Sequence, residues 1–457
     1  MLAIFTLTGL HHVQTTLDKD ITSTTQHYNH LLQFVVPHVQ EERSPSSIYI
    51  DDKQQQAMQE SENTKPDVKS RTTCLEHPPM TFNSTGKRVS DPTVRVIEHT
   101  KATICGKLRR NWYNNNYNEQ PIPLLSNIAQ QILHHQSNCS LPVGNNVVDN
   151  SYGLGSHIML WSQSICNAIE EGYRVRTYVQ PSSQPSQSQS SEENVWLWLD
   201  QYYCDINVAT TQSPMLCYFP QSEYRCSNNN NNENNELVVL HNISDARDKK
   251  KRCKLLRGDN NNNNEEVLKE FRAASMEYLF HNINPLIIKE AQRQIGVIFQ
   301  TKYVPQDLIC VHIRWGDKFF EMKLPTIQEY IDAINVLTKN ATTANIYLAT
   351  EDPKAVNEFL QIAKQYNGWN VYYDITIQEL NAFRPIKGNR ASYTTKNTKG
   401  RAGLIALGSL LVSLEAKYFV LTTKSNWSAL LNYLRMNIID PQCNNCTTMI
   451  DLRPGIW

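Results

Sequence analysis

From residue 308 onward, short apolar runs alternate with longer stretches whose apolar positions recur every three or four residues. Runs at 308–311, 345–349, 369–373 and 418–421 read as strands, and stretches at 326–337, 353–366, 400–415 and 426–435 read as helices. Pro353 suits the first turn of a helix, where its missing N–H would have no intrahelical partner. Strand and helix in strict alternation predict a parallel sheet with helices on both faces, a Rossmann-like α/β domain.

Three of these strands end in polar clusters. The first runs into His312, Arg314, Asp317 and Lys318, the second into Thr350, Glu351 and Asp352, and the last into Thr422, Thr423, Ser425 and Asn426. In an open α/β sheet, ligands bind outside the carboxyl ends of the strands, so these residues are placed to hold a charged small molecule. The planar fork of Arg314 matches phosphate oxygens, His312 can donate a hydrogen bond, and Asp317 can orient either neighbour. Ser425 and Asn426 stand at a helix start, where free N–H groups and the helix dipole favour an anion. Each cluster also has a structural reading. The first is then a salt-bridged strand end, Ser425 a helix cap, and Glu351 and Asp352 a surface cap.

The segments Val-His-Ile-Arg-Trp-Gly-Asp-Lys (311–318), Tyr-Leu-Ala-Thr-Glu-Asp-Pro (347–353) and Phe-Val-Leu-Thr-Thr-Lys-Ser-Asn (419–426), in this order and spacing, resemble the α1,6-fucosyltransferase family. Upstream, Tyr152-Gly-Leu-Gly-Ser156 with an apolar helix to Glu171, and a helical stretch over 267–299, resemble the segments that open the catalytic region of those enzymes. The similarity covers about residues 150–440 with interruptions, and related α1,2- and protein O-fucosyltransferases share the His-x-Arg element. The resemblance implies a GT-B-like fold and an inverting transfer of fucose from GDP-fucose to a glycan or glycoprotein, with α1,6 linkage to an N-glycan core as the leading expectation. It also implies that no metal or other cofactor takes part. It places His312, Arg314, Thr350, Glu351, Asp352, Thr423, Ser425 and Asn426 around the nucleotide and sugar, with Arg314 and Lys318 meeting charge on the leaving phosphate. The acceptor hydroxyl needs a base, and Glu321 follows Asp317-Lys318 much as the family's base does, one residue closer; Asp317 is the fallback. An exposed loop carboxylate is the plain alternative for Glu321. The acceptor would be met by the region 150–300 and by loops such as 381–398.

The chain departs from the family in three ways. The arginine that follows the motif's first is Trp315 here, the helix over 400–414 lacks the family's Asp, with Ser409 near its place, and neither an SH3-like extension after Asn445 nor long coiled helices before residue 120 can be recognised. These losses keep two alternatives open: a fucosyltransferase of another linkage, α1,2 or protein O-fucose, and a catalytically silent GT-B-like protein that binds sugar or nucleotide.

Composition narrows the rest. Lys plus Arg and Asp plus Glu each number 44, no basic stripe carries interleaved aromatics, and nucleic acid is therefore not an expected partner. The basic run at 249–254 reads as a solvated loop. The asparagine tracts 228–235 and 260–264, the Ser/Gln/Pro stretch 182–191 and the patternless segment 41–92 offer little to bury, and 21–36 reads as a short helix. The expected organisation is a poorly ordered region over 1–120, an acceptor-side lobe over 121–266 and the GDP-sugar domain over 267–457. The sole Asp-x-Asp triplet, Asp18-Lys19-Asp20, lies far from the strand ends. Eleven cysteines suggest disulfides, an odd count leaves at least one thiol over, and Cys310 inside its apolar strand is the expected one. Cys443-Asn-Asn-Cys446 reads as a disulfide or half of a zinc site. Sequons stand at Asn83, Asn138, Asn242, Asn340, Asn426 and Asn445. Residues 1–10 are apolar but too short to span a bilayer, so membrane association would need a weak or missing N-terminal anchor, and the resemblance together with the cysteines points to the Golgi.

Overall fold

The computed structural model of the protein describes residues 95–97, 124–148, 150, 152–179, 196–206, 209, 213–223, 241–243, 253, 264–300, 304–339, 341–374, 380 and 390–455. All of them belong to one compact unit, Thr73–Trp457. The expectations for residues 18–20, 21–36, 41–92 and 182–191, for the tract 228–235 and for most of 260–264 lie outside the described residues.

In chain order the elements are β1 (Arg95–Ile97), α1 (Asn127–Gln136), β2 (Val143–Val148), α2 (Leu154–Glu171), β3 (Arg174–Val179), α3 (Asn264–His281), α4 (Pro285–Phe299), β4 (Ile309–His312), α5 (Ile327–Thr338), β5 (Ala344–Ala349), α6 (Pro353–Ala363), β6 (Trp369–Tyr373), α7 (Arg390–Asn397), α8 (Arg401–Leu414), β7 (Tyr418–Leu421), α9 (Asn426–Leu434) and β8 (Thr448–Asp451). Strands β6, β5, β4, β7 and β8 lie side by side in that order, all parallel, and β1 adds an antiparallel edge on β8. This is an α/β domain with a five-stranded parallel sheet, compatible with the Rossmann-like expectation. Two pieces differ from the sequence reading. Residues 390–397, read as part of a loop, form α7, and β8 follows the helix that was expected to close the domain.

Both faces of the central sheet are buried by alternation along β4, β5, β7 and β8. Ile309, Val311, Ile346, Leu348 and Val420 pack on one face with Tyr330 and Ile334 of α5 and Val356 and Phe359 of α6. Cys310, Tyr347, Phe419 and Met449 pack on the other with Ile287 and Ala291 of α4 and Leu407 and Leu411 of α8. Successive side chains of a strand point to opposite faces, so a strand covered on both sides must be apolar at every position, which is how these runs read in the sequence. Local chemistry starts the helices. Thr326 and Glu329 form a reciprocal capping box on α5, and Asp352 accepts the N–H groups of Lys354 and Ala355 ahead of Pro353 on α6.

The preceding region contains β2 and β3, paired in parallel, and an isolated bridge from Asn145 to Asn242. Helices α1, α2 and α3 pack around them and share one hydrophobic core with the sheet, running from Ala129 to Met449. Disulfides join Cys166 to Cys253, Cys204 to Cys217 and Cys443 to Cys446. Cys310 is the free, buried thiol among the described residues, and burial pushes its pKa up to about 12. Of the run 249–254 only Cys253 is among the described residues: it is fully buried, cross-linked, and its N–H donates to Asn167 Oδ1 at 2.7 Å. Among the described residues no helix is long and apolar enough to cross a membrane.

Candidate functional site

The chain lays β4, β5 and β6 outward in one direction and β7 and β8 in the other, so the strand order reverses between β4 and β7. Helices on the two sides must diverge there and leave a crevice at the carboxyl ends of those strands. Beyond β4 come His312, Ile313 and Arg314, and then Gly316, whose φ of 76° turns the chain into a 3₁₀ turn over Gly316–Phe320. Beyond β7 come Thr422, Thr423 and Ser425, the last occupying the N-cap of α9.

His312 is buried, and its Nδ1 lies 2.6 Å from Ser428 Oγ in the first turn of α9. Burial, reinforced by the nearby Arg314 cation, lowers its pKa to about 3, while Glu351 acts weakly in the opposite sense. The ring is therefore neutral at physiological pH. Arg314 is half-buried and donates through Nη1 to the carbonyl of Trp315 at 3.1 Å. The Trp315 indole N–H donates to Pro325 O at 3.0 Å, and its ring packs on the apolar cluster beneath α5. Where the family resemblance would place a second arginine, this side chain instead fastens the loop between β4 and α5.

Lys318 is largely buried and pairs through Nζ with Glu321, whose carboxylate stays largely exposed. The side chain of Asp317 lies outside the described residues. At the end of β5, Thr350 donates through Oγ1 to Ile313 O at 2.8 Å, tying that strand end to β4. Glu351 is exposed beside it, and Asp352 serves as the cap of α6. Thr423 gives both its N–H and its hydroxyl to the Asp451 carboxylate. Ser425 is 1% exposed and caps α9 by position alone, since its side chain makes no hydrogen bond to the first turn.

A second helix start meets α9. The Tyr152-Gly-Leu-Gly-Ser156 turn opens α2, Asn426 Nδ2 donates to Ser156 Oγ at 2.7 Å, and a Cβ on Gly155 would fall 3.1 Å from the Trp427 ring. Two helix N-termini thus lie together beside the β4 and β7 ends, with glycine permitting the close approach. Two tryptophans hold the turn: Trp196 Nε1 donates to His157 Nδ1 at 2.6 Å, and Trp198 Nε1 donates to Tyr152 O at 3.1 Å.

Sequence reasoning did not single out Ser428, Trp196, Trp198, Asp451 or Arg453. Arg453 braces the site loop through Lys323 O at 2.8 Å and Glu329 Oε1 at 2.7 Å. Asp451-Leu-Arg453 follows an apolar run as the other polar strand ends do, and that was its available signal. Ser428 offered none, being one hydroxyl in an apolar helix. The Cys443–Cys446 pair is a disulfide, whereas a zinc site would need both sulfurs as thiolates. No protein-family model and no curated protein matches the chain.

Proposed function

We propose that the protein is an inverting glycosyltransferase that moves fucose from GDP-fucose to a glycan, with an N-glycan core and an α1,6 linkage as the leading acceptor and outcome. One observation carries this reading: Arg314, the N-termini of α2 and α9, and a Ser425 hydroxyl not spent on its own helix gather at the strand-order reversal. Those groups supply fixed positive potential and hydrogen-bond donors where a departing nucleoside diphosphate gathers charge, which is how such a leaving group is stabilised without proton transfer. Glu321, held by Lys318 and still largely exposed, is the proposed base for the acceptor hydroxyl. The β2–β3 region stands as the second lobe of a GT-B-like arrangement. Disulfides such as Cys166–Cys253, Cys204–Cys217 and Cys443–Cys446 support a secretory, oxidising compartment.

A silent nucleotide- or sugar-binding relative is the second reading, favoured by Ser409. That residue is buried at 3.0 Å from the Tyr347 hydroxyl, two residues below the end of β5, and offers no carboxylate to a nucleotide.

Calorimetry with GDP and GDP-fucose, followed by a transfer assay, tests both. Arg314→Ala should cost about 2–4 kcal/mol of GDP affinity, and Glu321→Gln should cut turnover by about 10² with GDP affinity little changed. Asp317→Asn is the comparison for the base. Unchanged GDP affinity in Arg314→Ala removes the site assignment; GDP binding without transfer to any fucose acceptor selects the silent relative.

A further inference from the structure

We infer that Ser428 is a positioning residue that locks His312 into the tautomer carrying its proton on Nε2, so that the end of β4 presents a neutral hydrogen-bond donor to an oxygen of the bound nucleotide. The inference rests on the proposed nucleotide site and adds a residue to it.

Ser428 Oγ accepts the Thr422 backbone N–H at 3.1 Å, and its own single hydrogen must then go to His312 Nδ1 at 2.6 Å or to Thr422 Oγ1 at 3.4 Å. Were His312 Nδ1 the donor, the Ser428 hydrogen would be left with only the 3.4 Å contact, beyond the range of about 2.5–3.0 Å for hydroxyl–oxygen hydrogen bonds, so the hydrogen goes to Nδ1. His312 Nδ1 is then the acceptor. A neutral imidazole that accepts at one nitrogen carries its hydrogen on the other, so Nε2–H is the remaining donor, and it has no partner among the described residues. The opposite tautomer would turn a lone pair toward the ligand and repel an anion. The charged and titratable groups around the ring are Arg314 on the same strand end, Glu351 at the end of β5, and Tyr330 of α5, whose hydroxyl donates to His312 O at 3.4 Å. None replaces Ser428 at Nδ1.

Ser428 also ends the triplet Asn426-Trp427-Ser428, which spells a glycosylation sequon. Here the asparagine binds Ser156, the tryptophan packs on Gly155 and the serine holds His312. The triplet thus joins α9 to both α2 and β4.

The test is a ¹⁵N spectrum of histidine-labelled protein, with His312→Gln identifying the resonance, paired with GDP titrations. The expected result is a bare Nδ1 and a protonated Nε2 from pH 5 to 8. Ser428→Ala should raise the GDP dissociation constant about threefold to tenfold and mix the tautomers, and Ser428→Thr should restore both. A proton on Nδ1 in the unmutated protein, or unchanged GDP affinity and tautomer in Ser428→Ala, overturns the inference. Should the unmutated protein bind no GDP at all, the nucleotide reading fails, while the spectrum still decides what Ser428 does to His312.

Discussion

The parallel sheet and the β2–β3 region are built on opposite principles. In the sheet, neighbouring strands bury aliphatic and aromatic side chains on both faces, as at Val311 and Val420, each fully buried. In the other region β2 reads Val-Gly-Asn-Asn-Val-Val, and its buried Asn146 donates to Thr177 Oγ1 at 3.3 Å and accepts from Ser164 Oγ at 2.8 Å. Fully buried Glu223 extends that network to Trp161 Nε1 at 3.1 Å and to the Thr177 N–H at 2.8 Å. Aliphatic burial is non-directional and tolerant, whereas a buried polar network stabilises only while every member keeps its partner. The β2–β3 region therefore depends on a few named bonds and a cross-link, and the sheet on the sum of many contacts.

The sharpest test of that contrast is a buried ion pair on the sheet side. Arg435, fully buried in the π-helical turn Arg435–Ile439, pairs with Asp440 and donates to Thr447 Oγ1 at 2.8 Å. Asp440→Ala strands a buried cation and should lower unfolding free energy by about 3–5 kcal/mol in a denaturant titration. A loss under about 1 kcal/mol would show that the region absorbs a polar defect as readily as an apolar one.

Removing the Cys166–Cys253 disulfide by Cys166→Ser should cost about 2–4 kcal/mol. Hydrogen exchange locates the damage. Faster exchange confined to α2, β2 and β3 is expected, and uniform acceleration through β4, β5 and β7 would mean that the two regions share one stability.

The smallest effect is a dependence on pH. Burial raises the Glu223 carboxyl above its ordinary 4.5, so the folded protein holds that proton more tightly than the unfolded chain. Its contribution is fully present below the unfolded value and is lost as pH rises through the folded one. Melting temperature measured from pH 4 to 8 should therefore decline less in Glu223→Gln than in the unmutated protein. An identical slope would assign the pH response to other groups.

The same contrast explains what could be read from the sequence. The strands at 369–373 and 418–421 fall at their observed bounds: the second is an uninterrupted apolar run, and the first is a short aromatic-rich run broken only by Asn370. The strand-end clusters were visible for the same reason, each being polar residues abutting an apolar run. Commitments were not visible. Thr350 and Thr423 look alike in sequence as nucleotide contacts, yet the structure shows their hydroxyls bonded to Ile313 O and Asp451, since pairing across the sheet is a long-range property. β2 and β3 could not be read at all, because buried asparagine and threonine carry no hydrophobic period.

The Cys166–Cys253 bond also bears on how this gene can change. It closes a loop with a sequence separation of 87 residues, and the Ser/Gln/Pro stretch 182–191 and the asparagine tract 228–235 both fall between its ends. The closure entropy of a tethered segment grows only logarithmically, adding about 0.6 kcal/mol for each doubling of length. With the ends riveted, repeat number is decoupled from the architecture around it. Codon-repeat expansion in those tracts would be close to silent for the fold, so copies of this protein differing by several asparagines are expected to melt alike.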